Sequence, residues 1–259
     1  MKLLTMKIQR IIFIASLFVV THHAIAQTQT IAHRGFWKTD ASAENSLTSL
    51  VKADSIGCYG SEFDVWLAED NELVVNHDSS YQGKSMEKTP SAELVTLKLK
   101  NGENLPTLEQ YLKKGKTLKT RLILELKAHS TPERETEAVR KIIAMVKSME
   151  LTTKIEYISF SLHAIKEFIR LAPAGTPIFY LEGNLSPQQL KEIGATGADY
   201  HLNIFRKNPN WIAECHELGL KVNVWTVNKS EDFEWLISNK ADYITTNEPV
   251  LLQKTIKSK

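Results

Sequence analysis

The sequence has very few cysteines. Only Cys58 and Cys215 occur among its 259 residues, and each lies in an ordinary helical or pre-strand context. Two cysteines do not form the kind of disulfide framework that stabilises small secreted domains. We therefore predict two separate thiols.

A hydrophobic run long enough to cross a bilayer is also missing. The apolar run near the N-terminus spans residues 11–20, whereas a membrane-spanning helix needs ~20 residues. A basic segment precedes the run, and Ala-Ile-Ala follows it at residues 24–26, a combination typical of a secretory signal peptide. An uncleaved membrane anchor is the alternative, which the short run disfavours.

The signal peptide sets the expected location and extent of the mature protein. We predict a signal peptide at residues 1–26 and one domain at residues 27–259, exported to the periplasm or secreted. No stable membrane anchor should remain after cleavage.

The mature chain has no excess charge of either sign. Three basic residues, Lys2, Lys7 and Arg10, fall within the predicted signal peptide and no acidic residue does, which leaves 29 basic and 30 acidic side chains. A near-neutral chain offers no electrostatic basis for binding nucleic acid or an anionic membrane. We predict a small-molecule ligand and no nucleic-acid partner. Composition says nothing about the oligomeric state.

Short β-branched runs alternate with helical segments along the mature chain. The predicted strands are residues 30–33, 62–66, 121–126, 155–159, 177–181, 199–202, 221–226 and 242–245. The predicted helices are residues 45–55, 107–114, 132–149, 162–171, 186–193, 210–218 and 230–239. This alternation predicts an α/β fold, a (β/α)8 TIM barrel. A doubly wound open sheet is the alternative, which the lack of a glycine-rich phosphate loop after the first strand disfavours.

The polar segment of residues 79–106 fits neither a helix nor a strand. We interpret it as a short insertion after the second strand. Long loops that follow barrel strands lie at the catalytic mouth.

Two acidic residues interrupt an apolar strand. Glu62 and Asp64 share one face of the predicted second strand, because side chains alternate along a strand. Glu125 lies near the C-terminal end of the neighbouring third strand. Three carboxylates that converge inside a barrel repel one another, and a hard cation, Mg²⁺ or Ca²⁺, would resolve the repulsion. The alternative is that Lys127 and other basic residues pair with these acids.

Two histidines stand where predicted extended runs end. His33 ends the first strand, and His77 ends the run Leu-Val-Val-Asn at residues 73–76. A histidine pair beside a metal site suits general acid–base chemistry near neutral pH. Arg34 and Lys127 add positive charge suited to phosphate or carboxylate. Trp225, on the seventh strand, should face the mouth, as a ligand contact or as interior packing.

These residues belong to an ordered set of short motifs. The set comprises His33-Arg34-Gly35, Glu44-Asn45, Glu62-x-Asp64-Val65, His77-Asp78, Pro106-Thr107-Leu108-Glu109, Glu125-x-Lys127, Ser159-Phe160 and Trp225-Thr226-Val227-Asn228. In this order the motifs resemble those of the glycerophosphodiester phosphodiesterases over nearly the whole mature chain.

The resemblance implies a function and a role for each site residue. It implies a TIM barrel that hydrolyses glycerophosphodiesters to sn-glycerol 3-phosphate and an alcohol, with one divalent cation, Mg²⁺ or Ca²⁺. Its metal ligands would be Glu62, Asp64 and Glu125. The acid–base pair would be His33 and His77, and Arg34 and Lys127 would hold phosphate oxygens.

The sequence departs from the family pattern in the loops. Ala68 stands where the family usually has Thr, residues 43–46 read Ala-Glu-Asn-Ser instead of Pro-Glu-Asn-Thr, and the usual Arg-x-Thr after His77 is absent. These changes leave the alcohol that the site accepts open. Two other functions remain: a phospholipase-type barrel that acts on intact lipid, and a non-catalytic ligand-binding barrel.

Overall fold

The computed structural model describes residues 27–258. The predicted signal peptide, residues 1–26, lies outside the described residues and stays a prediction. The strands in chain order are β1 (Gln29–Ala32), β2 (Gly60–Leu67), β3 (Leu73–Val75), β4 (Ser80–Tyr81), β5 (Lys84–Ser85), β6 (Arg121–Leu126), β7 (Ile155–Ser159), β8 (Ile178–Tyr180), β9 (Gly197–His201), β10 (Lys221–Trp225) and β11 (Tyr243–Thr246). The helices are α1 (Leu47–Ser55), α2 (Ser91–Leu94), α3 (Leu108–Lys116), α4 (Pro132–Ser148), α5 (Leu162–Leu171), α6 (Pro187–Ile193), α7 (Leu202–Lys207), α8 (Trp211–Glu217), α9 (Ser230–Ser238) and α10 (Pro249–Lys257).

Within residues 27–258, eight parallel strands form a closed barrel. The strand order is β1, β11, β10, β9, β8, β7, β6 and β2, and β1 pairs with β2 to close the ring. Helices connect successive barrel strands. The fold is the predicted (β/α)8 TIM barrel, and every predicted barrel strand is present within two residues of its predicted bounds.

Alternation along the strands separates an outer apolar core from a barrel interior, which holds the acids of β2 together with apolar side chains such as Ile123. On β2, Phe63 and Val65 are fully buried in the core between the barrel and its helices. Each such side chain contributes roughly 1.5–3 kcal/mol of burial free energy. Glu62 and Asp64, on the other face of β2, therefore point into the barrel, as predicted.

The helix starts follow from local sequence. Thr131 and Ser186 cap α4 and α6 through side-chain oxygens that accept hydrogen bonds from Arg134 N and Gln189 N. A proline follows each cap at the first helical position, where its missing N–H costs nothing. The seven predicted helices are present, whereas α2, α7 and α10 were not predicted.

The prediction that residues 79–106 lack regular structure is wrong in part. The segment contains the β4–β5 hairpin and the helix α2. Its apolar residues Met86, Leu94 and Leu105 are fully buried in a small core with Trp66 and Val74 of the β2–β3 hairpin. These residues are too widely spaced in the sequence to show a helical or strand period, but they pack together in the folded protein.

The two cysteines are separate, as predicted. Cys58 and Cys215 are both buried free thiols, and burial raises the pKa of each to about 12. A thiol with such a pKa is a poor nucleophile at neutral pH.

Among the helices of residues 27–258, none is long and apolar enough to cross a membrane.

Candidate active site

Three carboxylates meet at the mouth of the barrel. Glu62 and Asp64 of β2 and Glu125 of β6 each offer an oxygen, and these oxygens lie within 4.8 Å of one another. The parallel register places Asp64 beside Glu125. All three residues are buried, since their relative exposures are 2%, 1% and 8%. Sequence alternation predicted this convergence correctly.

Two cations neutralise part of this charge. Lys127 Nζ lies 2.7 Å from Glu125 Oε1 and 3.2 Å from Asp64 Oδ1. Arg34 Nε lies 3.8 Å from Asp64 Oδ2, and the Arg34 guanidinium donates a 2.7 Å hydrogen bond to Glu44. Both basic residues therefore stand beside the acids, which fits the ion pairs considered above as well as a role in holding an anion.

The carboxylates differ in their proton affinity. Burial raises the pKa of Glu62 well above its usual range, with Asp64 and Glu125 adding repulsion. Burial likewise raises the pKa of Glu125 to about 7. Burial would also raise the pKa of Asp64, but Lys127, His77, Asn45 and Arg34 outweigh it and hold that pKa below its usual value.

Glu62 has a buried oxygen that accepts no hydrogen bond from the described residues. Glu62 Oε2 accepts a 2.7 Å hydrogen bond from the Arg34 backbone N–H, whereas the buried Glu62 Oε1 accepts none. An unpartnered buried carboxylate oxygen beside two other carboxylates suits a cation that prefers oxygen ligands. The residues present therefore fit a hard divalent ion.

The loop after β1 has an unusual backbone. Arg34 and Gly35 have φ angles of 56° and 76°, in the left-handed region. This turn points the Arg34 N–H at Glu62. A Cβ on Gly35 would lie 2.7 Å from the backbone carbonyl carbon of Ser49 in α1, so only glycine fits here.

Two side-chain amides fix the site residues. Asn45 Nδ2 donates a 2.8 Å hydrogen bond to Asp64 Oδ2, and Asp64 N donates to Asn45 Oδ1 at 3.2 Å. Asn247 Oδ1 lies 2.8 Å from His33 Nδ1 and accepts a 3.3 Å hydrogen bond from Trp37 Nε1. An amide oxygen only accepts, so His33 Nδ1 is the donor.

His33 is therefore held as a defined tautomer. With its proton on Nδ1, the neutral ring leaves Nε2 free, 4.0 Å from Glu62 Oε2. Burial lowers the pKa of His33 to about 4, and the Arg34 charge adds to this effect. The ring is neutral near pH 7 and can accept a proton at Nε2.

His77 reaches the site through the β2–β3 hairpin. The two strands pair antiparallel from Leu67 opposite Leu73 to Val65 opposite Val75. The Asn76 N–H then donates a 3.0 Å hydrogen bond to the Asp64 carbonyl. His77 Nδ1 lies 2.7 Å from Asp78 Oδ1, so the exposed Asp78 carboxylate stands beside the ring.

A cavity of about 110 Å³ lies at the centre of the mouth. Its lining residues include six predicted site residues, His33, Arg34, Glu62, His77, Glu125 and Trp225. Asp64 and Lys127 contact two of these lining residues, Arg34 and Glu125 respectively.

Trp225 forms one wall of the cavity. Its ring packs edge-on against Phe160 and His201, and its Nε1 donates a 2.8 Å hydrogen bond to the Asp199 carbonyl.

A larger cleft of about 350 Å³ adjoins this cavity. His77 lines both. The cleft is bounded by the loop after β1, which contributes Trp37, and by residues of the insertion, among them Tyr81 and Leu99. Residues 79–106 therefore lie at the mouth, as predicted.

Sequence reasoning missed the residues that position the site. Asn45 stands out in the sequence only as part of a motif, and Asn247 and Asp199 have no predicted role. Asn247 directly follows β11, and a polar residue at the end of a barrel strand could have been predicted to lie at the mouth.

A (β/α)8 barrel with buried carboxylates, two histidines and two cations at one mouth defines a class: barrel hydrolases that act on phosphate esters. Sequence comparison gives the family. The model of the glycerophosphoryl diester phosphodiesterase family matches residues 33–251, so this chain belongs to that family and is an enzyme of the phosphodiesterase type.

Individual relatives agree with this assignment. A glycerophosphodiester phosphodiesterase of Caldanaerobacter subterraneus subsp. tengcongensis is 26% identical over 239 residues, covering 87% of this chain and 96% of the relative. A crystal structure of a glycerophosphodiester phosphodiesterase from Parabacteroides distasonis is 51% identical, with a TM-score of 0.88, over 90% of this chain and 98% of that one.

A more distant neighbour has a bound product. The phosphodiesterase from Oleispira antarctica in complex with the product sn-glycerol-3-phosphate is 23% identical, with a TM-score of 0.76, over 89% of this chain and 97% of that one. At this identity the likeness concerns the fold.

Proposed function

We propose that this enzyme hydrolyses glycerophosphodiesters to sn-glycerol 3-phosphate and an alcohol, with a divalent cation and two histidines. The single observation that carries the proposal is one cavity lined by His33, His77, Glu62, Glu125 and Arg34. The match of residues 33–251 to the glycerophosphoryl diester phosphodiesterase family supports the same chemistry.

The carboxylate cluster is proposed to hold one Mg²⁺ or Ca²⁺. Glu62, Asp64 and Glu125 would be its ligands, because their oxygens converge and Glu62 Oε1 lacks a partner. When bound, the ion would act as a Lewis acid toward the phosphoryl oxygens. Arg34 and Lys127 would bind phosphate oxygens and offset the negative charge that grows in the transition state.

The surroundings of the two histidines suggest their roles. His33 is neutral with Nε2 free, so it would accept the proton of the nucleophile. His77 is the second histidine of the cavity, and the Asp78 carboxylate beside its Nδ1 orients the ring. It would therefore donate a proton to the leaving alkoxide.

The two adjoining cavities suggest how the diester lies. The glycerol half is constant among substrates and would fill the smaller barrel cavity, whereas the variable alcohol would extend into the larger cleft. His77 lines both cavities, so it stands where the bond to the leaving alcohol breaks.

Hydrolysis of glycerophosphocholine and related diesters, measured with Mg²⁺, Ca²⁺ or EDTA, tests the proposal. The wild-type protein should be active with metal and inactive in EDTA. His33→Ala and His77→Ala should each lose most activity, since acid–base groups contribute roughly 10²–10⁴-fold, while calorimetry should still detect the metal. Full activity in both variants would contradict the two-histidine mechanism.

The same assay tests whether glycerophosphodiesters are the substrates of this enzyme. A metal-loaded wild-type protein that hydrolyses no glycerophosphodiester would overturn the substrate proposal. Binding to phosphatidylcholine vesicles, with hydrolysis of the intact lipid, would instead favour the phospholipase alternative.

A further inference from the structure

A buried acid of the barrel is not used by the site described above. Asp199 lies on β9 and is 1% exposed. Its neighbours Ala198 and Tyr200 belong to the outer core, so alternation directs the Asp199 side chain into the barrel. Among the described residues, no group hydrogen-bonds its buried Oδ1.

An unpartnered oxygen at this depth needs a physical reason. Leaving a buried polar group unsatisfied destabilises the folded protein. Asp199 lines the same cavity as His33 and Glu62, so a ligand in this cavity lies next to the acid. The barrel cavity therefore has a polar group beyond those assigned to phosphate chemistry.

The cavity around Asp199 combines this acid with apolar walls. Phe160, Leu181 and Trp225 line the same space. Trp225 Nε1 donates a hydrogen bond to the backbone carbonyl of Asp199, which holds the indole beside this residue. Carbon atoms of a short chain can contact these walls while a hydroxyl on that chain reaches the carboxyl.

We propose that Asp199 is a specificity-determining residue that hydrogen-bonds a hydroxyl of the polyol half of the diester in the barrel cavity. The proposal rests on the proposed function and adds the chemical class that the cavity selects: a hydroxylated rather than a plain alkyl phosphate ester. Burial raises the pKa of Asp199 to about 8, against an opposing hydrogen bond from Asn223. A neutral carboxyl both donates and accepts.

Binding of two small phosphate monoesters tests the inference without catalysis. Sn-glycerol 3-phosphate and n-propyl phosphate have the same chain length, but only the first carries hydroxyls. Calorimetric titration of the Mg²⁺-loaded wild-type protein should show roughly tenfold or more tighter binding of glycerol 3-phosphate, because a polar site left unpaired discriminates strongly.

Asp199→Ala should remove this preference by weakening glycerol 3-phosphate binding, with n-propyl phosphate binding unchanged. Asp199→Asn keeps a donor and an acceptor and should retain much of the preference. A purely structural role predicts equal loss for both ligands in the Ala variant. That result would overturn the proposal. So would an unchanged preference in the Ala variant, or a wild-type protein that shows no preference.

Separate measurements test the folding of the variants, the proposed function and the role of Asp199. Thermal unfolding of each variant reports its stability, so that a change in ligand binding can be separated from a change in folding. Asp199→Ser serves as a second truncation if the Ala variant does not fold. If the wild-type protein does not hydrolyse glycerophosphocholine, the proposed function is wrong. If it hydrolyses this diester but shows no preference for glycerol 3-phosphate over n-propyl phosphate, only the role of Asp199 is wrong.

Discussion

At the scale of the residue, Asn247 controls the proton position on His33. Its Oδ1 accepts a hydrogen bond from His33 Nδ1 at 2.8 Å, which leaves Nε2 of the neutral ring without a proton. Asn247→Ala should lower kcat by roughly 10-fold or more with little change in KM, because the ring loses its fixed tautomer. Steady-state kinetics with glycerophosphocholine measure the effect.

Two further variants separate orientation from packing. Asn247→Asp keeps an acceptor but adds a negative charge, which raises the pKa of His33 from about 4. The acid limb of the kcat/KM profile should therefore move to higher pH. Trp37→Phe removes the other donor to Asn247 Oδ1 and is the control for packing. Because Trp37 also lines the larger cleft, its kcat is compared at saturating substrate. An equal loss of kcat in this control would show that packing, not the tautomer, is responsible.

Charged site residues could be predicted from the sequence, but their amide partners could not. Glu62, Asp64 and Glu125 interrupt apolar strands; alternation gives Glu62 and Asp64 a common side, and the strand order of a barrel places Glu125 beside them. Asn45 and Asn247 lie in loops that are 19 and 214 residues from their partners. Only the closed barrel brings the first and last strands together, so no local pattern reveals the Asn247 contact.

At the scale of the element, the turn after β1 depends on Gly35. Its φ is +76°, and an added Cβ would lie only 2.7 Å from the Ser49 backbone, which leaves room for glycine alone. Gly35→Ala should cost about 1–2 kcal/mol for the left-handed backbone and more for the clash with α1. Activity should fall too, because the turn directs the Arg34 N–H at Glu62.

Gly57 provides the control for this prediction. It has a similar φ of +72°, but nothing lies within 4 Å of its Cβ position. Gly57→Ala should therefore show only the backbone cost. Urea unfolding of both variants gives the comparison, and equal losses of unfolding free energy would mean that the clash with Ser49 is relieved at little cost.

Elements that carry a clear period were predicted, and those defined by tertiary packing were not. The β-branched runs, and the helices α4 and α6 with proline at their first position, were located within two residues. In contrast, α7 has only six residues and follows β9 without a loop, so no break in the pattern marks it. The insertion gained its structure from the small core it shares with Trp66.

At the scale of the whole molecule, the buried acids make stability depend on pH. Glu125 has a pKa of about 7 in the folded protein, whereas an unfolded Glu ionises near ~4.3. Between these values the unfolded chain has lost a proton that the folded protein keeps, so stability falls as pH rises. His33, with its pKa lowered to about 4, contributes in the opposite direction over part of this range. In EDTA, Glu125→Gln should therefore make the slope of Tm between pH 5 and pH 7 more positive than in the wild type.

A divalent cation should reverse that dependence. Ionised carboxylates bind the metal and protonated ones do not, so affinity rises with pH. Mg²⁺ or Ca²⁺ binds the folded site and should raise Tm more at pH 8 than at pH 5, with a much smaller increase in Glu62→Gln. Differential scanning calorimetry of metal-loaded and EDTA-treated protein measures both shifts. An equal increase at the two pH values, or in the variant, would mean that the ion binds outside the Glu62–Asp64–Glu125 cluster.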